Sequence, residues 1–267
     1  MKTLLLLSAV LLAPALSVTA AEPAIFLELP TLYVIGGHAE GKWLGTQKAG
    51  KAMKPNTPFR IFTLNGESGK LTAKKAAAME DVCMDVWSAE VEPEIEKDGI
   101  AIAASWEPMP RPVKASSNTL EVYIKAVSDI LVSQGIRKPT VKITQHLRTD
   151  LDGDGNEEVL LSATHYKTSE GLGDVPTSAS AGNYSFVALR RVIDGKVHTQ
   201  ILDGEFYEKS KEFNAPNLHQ VSAILDLDGD GKMEVILSSE YYEGGATTVW
   251  QFGAKEATKV LEVACGV

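Results

Sequence analysis

Short apolar runs, some alternating with polar residues and most closed by Gly, Pro or Asn, recur along nearly the whole chain. This is the signature of a β-rich protein. Ile25–Ile35 reads as a strand that turns at Gly36-Gly37. A short stretch from Thr46 to Met53 is compatible with a helix, and Phe59–Leu64 alternates before an Asn65-Gly66 hairpin turn. Val82–Val91 and Ile100–Trp106 are further strands. Three prolines between Pro108 and Pro112 then interrupt the pattern and mark a boundary. Beyond them the period changes. Leu120, Tyr123, Ile124, Val127, Ile130 and Leu131 fall at helical spacing and share one face. Asn118 and Glu121 are spaced as a capping box, and Gly135 is placed to end the helix in a left-handed cap.

From Pro139 onward the strand pattern repeats. Residues 150–166 and 226–242 align at an offset of 76 with eleven of seventeen positions identical. Each unit runs strand, acidic loop, strand, then two more strands. In the first unit the last two are Tyr184–Val192 and Lys196–Leu202, turning at Asp194-Gly195. In the second they are Thr247–Phe252 and Thr258–Val263, after a turn at Glu243-Gly244-Gly245. A Ser/Gly-rich insertion, about Lys167 to Asn183, separates the second and third strands of the first unit only. The expected fold class is therefore α+β, predominantly antiparallel β. A small β-rich unit over 21–112 precedes, over 113–267, one amphipathic helix and two blade-like β repeats.

The first twenty residues read differently. Lys2, the apolar run Leu4–Leu16 and the small residues around Val18-Thr19-Ala20 have the three-part form of a signal peptide. The apolar run is shorter than the ~20 residues a membrane helix needs, and no later stretch is apolar enough to span. The expected location is outside the cytoplasm, periplasmic or extracellular. A net charge of -9, without a basic stripe, argues against nucleic acid and anionic membrane as partners. The chain has two cysteines, Cys83 and Cys265. In an oxidising compartment they fit one disulfide, with two free thiols as the alternative.

The repeated loops carry the chemistry. Calcium is a hard cation that takes about six to eight oxygen ligands. Asp150, Asp152 and Asp154 occupy loop positions 1, 3 and 5, and Gly155 at position 6 permits the tight curl. The Asn156 carbonyl at position 7 and Glu158 at position 9 complete a cage. The second loop supplies Asp226, Asp228, Asp230, Gly231, the Lys232 carbonyl and Glu234. An EF-hand needs Glu at position 12 and flanking helices; here position 12 is Leu161 or Leu237, in aliphatic strand-forming sequence. Glu157 adds an acid to the first loop where the second unit has Met233, and Lys232 adds a cation to the second loop, so the first is expected to bind calcium more tightly.

The pattern D-x-D-x-D-G-x-x-[DE] before an apolar strand resembles FG-GAP/VCBS-type repeats, as in integrin α-subunit propellers. The resemblance covers about 17 residues per unit. It implies a loop joining two antiparallel strands with calcium bound at two sites. Only two units are present, the Phe-Gly and Gly-Ala-Pro signatures are missing, and a propeller needs about four or more blades; a closed propeller is not expected. His38, His146, His165, His198 and His219 form no zinc-protease motif, and neither a nucleophile elbow nor a phosphate-binding Gly-rich loop occurs. The four tryptophans read as core. His165-Tyr166 and Tyr241-Tyr242 read as packing, with a sugar- or peptide-binding face as the alternative. The expected function is a non-enzymatic structural or interaction module whose partner is a protein, peptide or glycan of the cell envelope or medium. A secreted hydrolase or enzyme accessory domain with structural calcium is the alternative.

Overall fold

A computed structural model describes residues 22–118, 120–166 and 175–266. The signal-like segment 1–20 and the first part of the insertion, 167–174, lie outside the described residues. The described chain is mostly antiparallel β with two helices, as expected.

The first seven strands are β1 (Ala24–Leu29), β2 (Val34–Ala39), β3 (Lys42–Gly45), β4 (Thr57–Thr63), β5 (Gly66–Ala78), β6 (Trp87–Glu92) and β7 (Gly99–Ala103). They form one sheet in the order β3-β2-β1-β7-β4-β5-β6. It curls into an open half-barrel, and Tyr33, beside the β1–β2 turn, bridges Ser88 of β6. Helix α1 (Thr46–Ala52) lies on one face. Next come β8 (Lys114–Ala115), α2 (Glu121–Ser133), β9 (Ile143–Thr149), β10 (Glu158–His165), β11 (Tyr184–Ile193) and β12 (Lys196–Phe206). These strands make a five-stranded sheet, β12-β11-β10-β9-β8. Finally β13 (Leu218–Leu225), β14 (Glu234–Tyr241), β15 (Gly244–Phe252) and β16 (Ala257–Gly266) form a four-stranded meander. At the offset of 76, β10 falls residue for residue on β14.

The two-residue period of the strands decides how the sheets stack. In β1, Ala24 and Phe26 face one way, while Ile25, Leu27 and Leu29 face α1 with Ala49 and Met53. The Phe26 side of the sheet meets Ala223, Leu225, Ile236 and Leu261 of the four-stranded sheet, with Leu227 from the loop after β13. The opposite face of that sheet, with Val221, Ile224, Val235 and Leu237, packs on Leu147, Leu160, Val187 and Leu189 of the five-stranded sheet. Leu161, Phe186 and Ala188 then look outward and are covered by Val127, Ile130 and Leu131 of α2. The layers therefore run α1, seven strands, four strands, five strands, α2. The four-stranded sheet is buried on both faces, which explains why Val235-Ile236-Leu237 is continuously apolar. Among the described residues no helix is long and apolar enough to cross a membrane.

Several local expectations change. Gly36-Gly37 and Gly244-Gly245 lie inside β2 and β15 rather than in turns. A Cβ at Gly37 would stand 2.4 Å from the Ala24 carbonyl oxygen, and one at Gly244 would stand 2.3 Å from that of Cys265. These glycines permit close backbone approach. The capping box is not formed. Leu120 takes the N-cap position without a side-chain cap, and Asn118 instead donates its amide to the Ile143 carbonyl at 3.2 Å. The C-terminal expectation holds: Gly135 has φ +90°, Ile136 N–H reaches Leu131 O at 2.9 Å and Gly135 N–H reaches Val132 O at 3.1 Å. That pair of bonds is a Schellman motif. On the predicted apolar face Leu120 and Ile124 are exposed. Cys83 and Cys265 form the disulfide, which ties the region before β6 to the last strand.

Candidate metal centre

Both acidic loops join adjacent antiparallel strands, β9 to β10 and β13 to β14. Each loop curls around its own carboxylates. Asp150 Oδ1 accepts Gly153 N–H at 2.8 Å and Asp154 N–H at 3.1 Å, while its Oδ2 accepts Gly155 N–H at 3.1 Å. Asp226 repeats this with Gly229 N–H at 2.7 Å and Gly231 N–H at 3.0 Å. Asp152 and Asp228 each accept the N–H two residues on, at 3.2 and 3.1 Å. Asp154 and Asp230 do likewise toward Asn156 and Lys232, both at 2.7 Å. Gly153, Gly155, Gly229 and Gly231 all have positive φ, which the curl requires.

The position-9 acids do more than close the loops. Glu158 Oε2 accepts Leu151 N–H at 2.8 Å, and Glu234 Oε2 accepts Leu227 N–H at 2.9 Å. Each acid thus fastens the strand after the loop to the second loop residue. Leu151 and Leu227 point into the core at 1% and 0% exposure, which pins the loops from below.

The two loops differ in depth. In the first, the carboxylate oxygens that come within 4.8 Å of one another belong to Asp150, Asp152 and Asp154, two of them exposed. In the second they belong to Asp226, Asp228 and Glu234, two of them buried. Glu158 and Asp230 stand outside these groups. Burial pushes the Glu234 carboxyl up to about 9, with Asp228, Asp226 and Asp230 adding to the rise. Burial also raises Asp226, Asp228 and Glu158. Asp154 goes the other way, lowered by the backbone N–H and side-chain amide of Asn156. Glu157 is turned outward to Lys114 and Arg148, at 2.5 and 2.9 Å, and is lowered mainly by its bond to Lys114.

Two residues, one just before the Pro-rich segment and one inside it, cover the loops, and sequence reading missed this role for both. Trp106 Nε1–H donates to the Asp226 carbonyl at 2.9 Å, with its indole over Gly229. Arg111 Nε–H donates to the Asp150 carbonyl, with its guanidinium over Gly153. The two side chains occupy corresponding places on corresponding loops. Their proximity to the Pro-rich run was the one signal available. Gln251 reaches Asp228 Oδ2 at 2.8 Å and accepts Trp43 Nε1–H at 3.3 Å, adding a second indole near the deeper loop.

Elsewhere the polar clusters are spread. Tyr166 OH donates to the Asn217 carbonyl at 2.6 Å, and burial raises its pKa; Tyr242 is exposed. His219 is 6% exposed, its two ring nitrogens lack hydrogen-bond partners, and Asp203 Oδ2 stands 3.9 Å from Nδ1. Burial lowers its pKa against the pull of Asp203 and Glu205. A cavity of about 280 Å³ between the seven- and four-stranded sheets is lined by Glu28, Asp98 and Glu240. No protein-family model matches this chain, and comparison with curated proteins and with solved structures likewise gave no match.

Proposed function

We propose that this is an exported calcium-binding protein in which two FG-GAP/VCBS-like loops bind Ca²⁺, stiffen the strand junctions of a layered β scaffold, and so maintain a structural or interaction surface without catalysis. The observation that carries the reading is the buried group at the second loop. Asp226, Asp228 and Glu234 bring carboxylates together where water is largely excluded, so with all three ionised they repel one another. A divalent cation is the natural neutraliser. An all-oxygen donor set of carboxylates and peptide carbonyls suits a hard ion, and a flexible loop suits Ca²⁺ better than the octahedral demands of Mg²⁺. Asp150, Asp152, Asp154, the Asn156 carbonyl and Glu158 would hold one ion. Asp226, Asp228, Asp230, the Lys232 carbonyl and Glu234 would hold the other. Partners are expected to be a protein, peptide or glycan met outside the cytoplasm, a location that fits the signal-like N-terminus and the disulfide.

A thermal melt tests this directly. An ion that binds only the native state raises the midpoint, and the rise grows with the logarithm of its concentration above Kd. The midpoint is expected to rise with Ca²⁺, fall with EDTA, and respond less to Mg²⁺. An unchanged midpoint under chelation, together with a metal-free preparation by elemental analysis, would contradict the calcium reading.

A further inference from the structure

One side chain joins the two loops. Arg111 Nε–H donates to the Asp150 carbonyl, and Nη2–H donates to the Leu151 carbonyl at 3.0 Å and to the Gly231 carbonyl at 2.8 Å. The guanidinium therefore grips positions 1 and 2 of the first loop and position 6 of the second. Gly231 immediately precedes Lys232, whose carbonyl is the proposed position-7 ligand, and its own N–H is held by Asp226. A backbone bond runs alongside, Met233 N–H to the Leu151 carbonyl at 2.8 Å.

From this arrangement we infer that Arg111 couples calcium binding at the two loops, so that an ion in one strengthens binding in the other. The inference rests on the calcium reading above. Closing carboxylates and carbonyls around an ion requires the loop backbone to keep one curvature, and that ordering costs conformational entropy. The guanidinium is a planar fork whose donors cannot move independently. When an ion fixes the Asp150 and Leu151 carbonyls, the donor serving Gly231 is fixed with them. The second loop then meets its ion already ordered, and binding there is tighter. By linkage the effect is equal in both directions. Arg111 touches no proposed ligand atom, so it acts as a positioning residue.

The test uses the full chain and calcium alone. Loop two is read by tryptophan emission, since Trp106 bonds Asp226 and Trp43 reaches Asp228 through Gln251; calorimetry reads both loops. Asp152→Asn disables loop one and keeps the acceptor for Asp154 N–H. In the otherwise unaltered chain this substitution is expected to weaken calcium at loop two about five-fold or more, within the usual range of coupling between sites. In an Arg111→Met background the same substitution is expected to change loop two by less than about two-fold, a loss of most of that coupling. Arg111→Lys keeps the charge without the fork, is expected to behave like Arg111→Met, and serves if the latter misfolds. Loop-two affinity indifferent to Asp152→Asn in the unaltered Arg111 chain overturns the coupling, as does undiminished coupling in either Arg111 variant. An unaltered chain that binds no calcium overturns the reading beneath it, a result distinct from two independent sites.

Discussion

At the scale of single residues, Glu234 has the clearest signature. Its carboxyl is raised to about 9 by burial, so between the unfolded value near 4.5 and about 9 the folded protein holds a proton that the unfolded chain has lost. Such a group adds stability that is fully present below the lower value and is lost as pH rises through the upper one. The metal-free protein is therefore expected to melt lower at pH 8.5 than at pH 6, and calcium to raise the midpoint more at the higher pH. Glu234→Gln keeps an acceptor for Leu227 N–H and removes the charge. In EDTA at pH 8.5 this variant is expected to melt higher than the parent, by several degrees or more. Its gain from calcium is expected to be smaller. A parent that gains stability with rising pH in EDTA, or a variant that melts lower there, counts against it. His219 acts on the acid side. Its folded pKa lies below the ordinary 6.5, so its contribution is present above 6.5 and lost as pH falls through the lowered value. His219→Gln is expected to flatten the acid limb of a pH–midpoint series and to leave the alkaline limb unchanged.

The loops, as elements, rank differently from what their charges alone suggest. Counting acids favours the first, because Glu157 is there and Lys232 is in the second. The structure removes half of that count: Glu157 pairs with Lys114 and Arg148 and faces away from the cluster, while Lys232 stays 3.9 Å from Asp230. The second loop brings buried Asp226 and Glu234 together with Asp228, under the cover of Trp106. Carboxylates already stripped of water gain more from a cation than exposed ones do. The second loop is therefore expected to be the tighter site, and calorimetry on Asp226→Ala should show its loss while Asp150→Ala retains it. The loops themselves were legible in the sequence because their chemistry is local: ligand spacing, the position-6 glycine and the position-9 acid all fall within nine residues. Strand order within each unit was legible for the same reason, since consecutive strands joined by short turns pair as neighbours. What lay hidden was long-range. Gly37 and Gly244 resemble turn glycines until the Ala24 and Cys265 carbonyls approach them. Asn118 resembles an N-cap until the Ile143 carbonyl competes for it. Arg111 and Trp106 are separated from the loops they cover by about 40 and 120 residues of sequence, and no local pattern records such a contact.

Across the whole molecule, the four-stranded sheet is the element on which the other layers depend. One face shares its apolar side chains with the seven-stranded sheet and the other with the five-stranded sheet, so neither flanking layer can separate without exposing it. The second acidic loop joins β13 to β14, where Leu225, Leu227 and Val235 supply both cores. The disulfide reinforces the stack from its rim. Cys83 leads into β6 at the edge of the half-barrel, Cys265 lies on β16 at the edge of the middle sheet, and 182 residues of chain separate them. Closing a loop of that length restricts the unfolded chain by about 5 kcal/mol in the chain-entropy account. Replacing both cysteines by serine is accordingly expected to lower the midpoint by on the order of 10 °C, less whatever residual structure the unfolded chain retains. The shared cores give the shape of the transition as well as its position. If one sheet belongs to two cores at once, loss of either undermines the other, and the protein unfolds in a single step with or without the bridge. Calorimetric and van't Hoff enthalpies should then agree for the parent and for the Cys83→Ser/Cys265→Ser variant. Two resolved transitions in the parent, with the N-terminal layer melting apart from the two sheets that carry the acidic loops, would mean that the interface around Phe26 and Leu225 is too weak to unite them. A single transition in the parent that splits only in the serine variant would assign that union to the disulfide instead of the core.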